Sequence, residues 1–75
     1  MDNSKLDELR QTYKRAVDEW VDAIRAEEAL ATPDHSEVAM ERWDRATFVE
    51  LDAQKKAKQT RDEYKDALRK VNYGF

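Results

Sequence analysis

Residues 31–36 read Ala-Thr-Pro-Asp-His-Ser and contain the only proline of the 75-residue chain. Proline disfavours helical geometry at the residue before it, Thr32, and is tolerated in the first turn of a new helix. Either Thr32 caps that helix with Pro33 in its first position, or Asp34 is the cap and Glu37 closes a capping box. The segment therefore predicts a short turn, which makes the two helices that flank it antiparallel neighbours.

The chain before this turn has the pattern of one long helix, expected at about 4–31. Ser4 and Asp7 fit a loose capping box, and no helix breaker follows before Pro33. The large apolar residues recur at steps of three and four, so they share one helix face. They are Leu6, Leu9, Tyr13, Val17, Trp20 and Ile24, followed by Ala31. Several are eleven residues apart, which predicts a nearly straight helix.

A second helix is expected at about 37–72, because no Gly or Pro occurs before Gly74. Gly74 is a terminator of the kind that ends helices. One carboxylate, Glu50, interrupts the apolar stripe of this helix, and we expect it to lie at the edge of the stripe and point outward. Were it buried, it would need a partner such as Arg15, Arg25 or a group of a second chain. The stripe consists of Ala39, Trp43, Ala46, Ala53, Ala57, Thr60, Tyr64, Leu68 and Val71.

The predicted fold is thus all-α, with residues 1–75 forming one antiparallel two-helix hairpin of coiled-coil type and a turn at 32–36. Folding back about the turn should place Trp20 opposite Ala46 and Thr47. Large side chains of the first helix then meet small ones of the second, which allows close packing. The expected hairpin core is Leu9, Trp20, Ile24 and Trp43.

Composition excludes several classes of function. Charged residues make up 41% of the chain, but two Trp, three Tyr and two Phe argue against a disordered chain. The absence of cysteine excludes disulfides and thiolate metal sites. The first residues lack a signal-peptide pattern and no segment has membrane-spanning length, so we expect a cytoplasmic protein that does not engage a membrane.

No residue pattern predicts catalysis, a cofactor or a small-molecule substrate. His35 is the only histidine, and a metal site would need three or four convergent ligands, so we interpret it as a solvated turn residue. Trp20 and Trp43 could form an aromatic platform for a ligand, but their positions on the inward stripes favour core packing. We therefore expect a protein that is not an enzyme.

Excess apolar surface is the main clue to function. The second helix should extend past the first by two turns or more, which leaves its C-terminal end uncovered. The first half of the second helix also carries apolar residues on a second face. Contiguous apolar surface of this kind usually marks an interface. The residues predicted to associate are Met40, Phe48, Leu51, Leu68, Val71, Tyr73 and Phe75. We expect a homodimer that forms a four-helix bundle; the alternatives are a marginal monomer and an obligate complex with a different protein.

Charge is distributed unevenly along the chain. Residues 1–54 carry seven Lys or Arg and fourteen Asp or Glu, whereas residues 55–75 carry seven and three. The basic segment favours an alternative function, a small regulator associated with nucleic acid. Its candidate anion contacts are Lys55, Lys56, Lys58, Arg61, Lys65 and Arg69. Interspersed carboxylates and the net charge of −3 instead favour a solvated helix face, so the leading hypothesis is a self-associating interaction module that binds another protein.

Overall fold

The computed structural model describes residues 3–31, 33 and 36–74, and within these ranges it contains two helices and no strand. Helix α1 spans Asn3–Ala29 and helix α2 spans Glu37–Tyr73. They pack against each other side by side as a narrow rod of 56 × 17 × 12 Å. The prediction of an all-α helical hairpin is confirmed.

The ends of α1 differ from the prediction. The helix already includes Asn3, so Ser4 lies inside it and is not its N-cap. At the other end, the N–H of Leu30 donates to the carbonyl of Glu27 at 3.1 Å, and the N–H of Ala31 donates to that of Glu28 at 2.9 Å. These tighter bonds close the last turn, which leaves Ala31 exposed beyond the helix rather than on its apolar stripe.

Helix α2 is capped at both ends. Ser36, which was not among the predicted caps, is the N-cap, and its hydroxyl oxygen accepts a hydrogen bond from the N–H of Ala39 at 3.2 Å. Thr32 and Asp34, the two predicted caps, lie outside the described residues. At the C-terminus, Gly74 adopts φ 77° and its N–H donates to the carbonyl of Lys70 at 3.0 Å. A left-handed cap of this kind favours glycine because a Cβ would be strained there.

The pairing of the two helices is shifted by about one turn from the predicted register. Trp20 was expected to face Ala46 and Thr47, yet its indole N–H reaches Glu50. Leu6 shares a surface depression with Tyr64 and Leu68, whereas the predicted register would place it near Thr60 and Arg61. Helix α1 ends at residue 29 and helix α2 begins at residue 37, so the connection is longer than the predicted turn. The longer connection allows the first residues of α2 to extend past the end of α1.

This shift corrects the predicted overhang of α2. Part of the extra length of α2 projects at the turn end, so α1 still covers residues expected to be bare. Tyr64 and Leu68 are half-buried, whereas Val71 and Tyr73 are exposed. The uncovered C-terminal segment is therefore shorter than the sequence suggested.

The centre of the hairpin is made of small side chains. Ala16, Ala23 and Ala57 are buried, together with Thr60, whose hydroxyl donates to the carbonyls of Lys56 and Ala57 at 3.0 Å each. Small side chains on both helices allow the backbones to approach closely along this line. The expected contrast of large side chains on one helix against small ones on the other is thus not what fills the core.

The large residues predicted to form the core lie beside this line. Leu9, Trp20 and Trp43 are half-buried, and Ile24 is 40% exposed, so its assignment to the core was wrong. Two helices meet along a single line of contact, and a side chain only slightly off that line has protein on one side and solvent on the other. The hairpin therefore has little enclosed volume of its own.

Candidate functional site

Helix α2 has two faces of different character. The inner face, which packs against α1, contains Ala57 and Thr60. Since successive residues of a helix are rotated by about 100°, Met40, Phe48 and Leu51 fall within a sector about 80° wide on the opposite side. We call this sector of α2 the outer face. Met40 is 54% exposed, Leu51 49% and Phe48 70%.

The residues predicted to associate lie on different parts of α2. Met40, Phe48 and Leu51 lie together on the outer face of the first half of α2, and Val71 and Tyr73 are exposed near its C-terminus. Leu68 is half-buried beside Leu6, so less of its surface is free for a partner. Phe75 lies outside the described residues. The structure therefore places three of these side chains on one continuous surface.

Further apolar side chains are exposed that the sequence did not predict to be so. Val38 and Val49 lie on a flank of α2, and Val49 is 61% exposed. On α1, Val21 and Ile24 are also exposed. Their spacing alone could not separate them from core residues, because they sit within a turn of residues that do pack between the helices.

Glu50 is part of the contact between the helices. Its Oε1 accepts a hydrogen bond from the indole N–H of Trp20 at 2.8 Å, and both side chains are half-buried. The expected orientation, pointing outward at the edge of the stripe, was wrong, and the partner is an aromatic donor rather than Arg15 or Arg25. A ring N–H satisfies the carboxylate without burying a second charge.

Shallow depressions run along the seam between the helices on one side of the rod. One is lined by Ile24, Glu27, Glu28, Trp43 and Glu50 near the turn. A second, lined by residues that include Tyr13, Val17 and Trp20, lies at mid-length, and the third holds Leu6 and Leu68. All are open to solvent, so this side could hold an elongated chain laid along the seam more readily than an enclosed small molecule.

The basic residues proposed as anion contacts do not form a single surface. Lys56 lies on the other side of the rod and its Nζ donates to Glu19 of α1 at 3.3 Å. The remaining five are exposed, and two of them, Lys58 and Arg61, also line the depression at mid-length of the seam. Of these, Arg61 pairs with Asp62 at 3.2 Å and Arg69 with Asp66 at 2.9 Å. The other three, Lys55, Lys58 and Lys65, make no ion pair within the described part of the chain.

The described residues show few features of a metal-binding or catalytic site. No group of three or more His, Asp or Glu side chains in residues 3–31, 33 and 36–74 is arranged to hold a metal ion. His35 lies outside those residues. One titratable group stands out: a hydrogen bond to Asp7 raises the pKa of the exposed Arg10 guanidinium above its usual value.

Comparison with known proteins assigns neither a family nor a function to the chain. Neither a protein-family model, nor a curated protein sequence, nor a solved structure matches the chain. No helix within the described ranges is long and apolar enough to cross a membrane.

Proposed function

We propose that this chain is a non-enzymatic interaction module that associates with a second copy of itself through the outer face of α2 and presents the resulting surface to another protein. The observation that carries the proposal is the exposure of Met40, Phe48 and Leu51 on the side of α2 turned away from α1. Two hairpins joined in this way bring four helices together, and the cytoplasm is the setting we propose for a chain without cysteine.

The energetics favour a weak and reversible assembly. Fully burying a large apolar side chain contributes about 1.5–3 kcal/mol; because Phe48 is 70% and Leu51 49% exposed, the four side chains of two copies together offer roughly 4–7 kcal/mol. Association costs an estimated 4–15 kcal/mol in lost freedom of motion. Because the two ranges overlap, we expect a dimer that forms at micromolar or higher concentration and exchanges readily.

The small core of the hairpin supports the same proposal. Within the part of the chain that the structure describes, the buried residues are three alanines and one threonine, and the larger apolar side chains are covered on one side only. Small domains with this little enclosed volume commonly gain stability by oligomerising. Covering the outer face would bury area that the single hairpin leaves in water.

The test compares two neighbouring substitutions by size-exclusion chromatography with light scattering. We expect the mass of the wild type to rise from 8.9 kDa toward twice that value with concentration. Phe48→Glu should hold the mass at the monomer value, because it puts a charge in the centre of the outer face. Val49→Glu is the matched control, since Val49 is similarly exposed but lies on a flank. A wild-type dimer whose mass neither variant changes would place the interface elsewhere, and a monomeric wild type at high concentration would exclude self-association.

A second candidate function is association with nucleic acid. Lys55, Lys58 and Lys65 favour it, since they are exposed along one side of α2 without an ion-pair partner in the described residues. Against it, Asp62 lies among them on the same side. A filter-binding measurement with nucleic acid at two salt concentrations tests this candidate, because binding to phosphates falls steeply with salt; absence of binding at low salt would exclude it.

A further inference from the structure

The outer face of α2 contains a stripe with an ordered sequence of charge. Residues spaced alternately four and three apart lie along one line of a helix that pairs with another helix as in a coiled coil. On α2 one such line carries acidic residues near the turn, apolar residues in the middle and basic residues beyond. It consists of Glu37, Glu41, Asp44, Phe48, Leu51, Lys55 and Lys58, all of them exposed.

We infer that this stripe is the surface through which two copies of the chain pair in antiparallel orientation, with Phe48 of each copy against Leu51 of the other. This inference rests on the proposed self-association and specifies its geometry. In a symmetric dimer, any contact from residue i to residue j is repeated from j to i. The apolar centre is therefore flanked on both sides by the same layers, Asp44 against Lys55 and Glu41 against Lys58.

Charge selects the antiparallel orientation over the parallel one. In a parallel pair each residue of the stripe meets its own copy, so Glu41, Asp44, Lys55 and Lys58 would all face like charges. In the antiparallel pair these four residues all face opposite charges. Complementary potentials favour one docking orientation, and like charges placed together suppress the other. The next layer outward, Glu37 against Asp62, is like-charged, so the complementarity ends there.

The charges of the whole hairpin are segregated in the same direction. Residues 17–54, the middle of the sequence, carry three Lys or Arg and eleven Asp or Glu, a net charge of −8. Residues 1–16 and 55–75 carry eleven and six, a net charge of +5, and the described parts of these two segments lie together at the open end of the hairpin. An antiparallel pair brings the basic half of each copy toward the acidic half of its partner.

The arrangement leaves other surfaces free. Because the outer face points away from α1, helix α1 of each copy lies on the outside of the pair. The four helices then form a layer rather than a square bundle. The seam depressions near Trp43 and Leu68 stay open, so the dimer can present them to a different protein.

Disulfide mapping tests the orientation directly, since the chain has no cysteine of its own. Asp44→Cys and Lys55→Cys are prepared as separate proteins and oxidised mildly, alone and as an equal mixture. In the antiparallel pair, position 44 of one copy lies opposite position 55 of the other. The same position in the two copies is about 16 Å apart along the helix axis. We expect covalent dimers from the mixture and almost none from either protein alone.

Each other result overturns the inference in a distinguishable way. If each variant forms a covalent dimer alone, the pairing is parallel and self-association stands. If nothing links while the wild type is dimeric by light scattering, the interface lies on another surface. If nothing links and the wild type is monomeric, the proposed function fails as well.

Charge reversal provides an independent measurement without cysteine. Replacing Lys55 and Lys58 by Glu should weaken the dimer by about tenfold or more, since four attractive contacts become repulsive. Adding Glu41→Lys and Asp44→Lys in the same chain should restore association. The matched control replaces Lys65 and Arg69 by Glu; these lie beyond the overlap and should leave the affinity nearly unchanged. Equal weakening by both pairs of reversals would contradict the inferred contacts.

Discussion

The inner and outer faces of α2 belong to one continuous helix, yet the size of the apolar side chains and their burial differ between them. The inner face holds its smallest residues where α1 is closest, and Ala57 is only 2% exposed there. Large apolar residues appear on the outer face, where Phe48 is 70% exposed. Burial in this hairpin thus follows steric access between two backbones rather than the size of the side chain. Large apolar side chains that α1 does not cover remain exposed on the outer face, and these are the side chains that we propose a second copy covers.

The largest difference between the faces should appear in the free energy of unfolding when a leucine is introduced on each face. Ala57→Leu forces extra volume between closely packed backbones and should lower the free energy of unfolding by about 1–3 kcal/mol. Its neighbour Lys58 is exposed on the outer side, so Lys58→Leu should change that free energy by less than about 0.5 kcal/mol. Urea unfolding at a low protein concentration measures both. Equal effects would mean that the two positions are equally accessible.

A smaller effect is expected from the hydrogen bond that Trp20 donates to Glu50 at 2.8 Å. Trp20→Phe keeps an aromatic ring but removes the donor, and we expect it to cost about 1 kcal/mol more than Trp43→Phe. Trp43 is the matched control because it is also half-buried, and its ring donates no hydrogen bond to the described residues. The same urea measurement applies, and an equal cost for both substitutions would show that the bond contributes nothing to stability.

The ion pair between Glu19 and Lys56 should contribute still less. Its atoms are 3.3 Å apart and both side chains are 59% exposed, so solvent screens the attraction. We expect a double-mutant cycle with Glu19→Ala and Lys56→Ala to give a coupling free energy below about 0.5 kcal/mol. A coupling above 1 kcal/mol would show that this side of the hairpin is held more firmly than its exposure indicates.

The smallest effect on folding should come from the outer face itself. Phe48→Ala removes a large apolar side chain that touches little of its own hairpin, and alanine has the higher helix propensity. At concentrations where the chain is monomeric, the free energy of unfolding should stay within about 0.5 kcal/mol of the wild type. A loss of several kcal/mol would place Phe48 inside the folded unit and remove the difference between the faces.

Much of this architecture follows from local sequence patterns. The proline at residue 33 and the lack of other breakers predict two helices and one turn, and the spacing of apolar residues predicts two separate apolar faces on α2. These features depend on neighbours within a few residues, so they can be derived without knowing the fold. The exposure of Met40, Phe48 and Leu51 was predicted on this basis and is observed.

Features that depend on the contact between helices were predicted less well. The register was wrong by about one turn because the position where α1 ends is decided by the tighter bonds of Leu30 and Ala31. The orientation of Glu50 was wrong because its partner, Trp20, reaches it only in the shifted register. Ile24 was assigned to the core because its spacing fits, although a two-helix contact line is too narrow to cover it.

Sedimentation equilibrium of the wild-type chain over a range of concentrations tests most directly whether the outer face of α2 joins two molecules. We expect a reversible monomer–dimer equilibrium in which Phe48→Glu abolishes the dimer and Val49→Glu leaves it intact. A single species of 8.9 kDa at every concentration up to the millimolar range would contradict this, because the exposed apolar residues would then have no second copy to cover them.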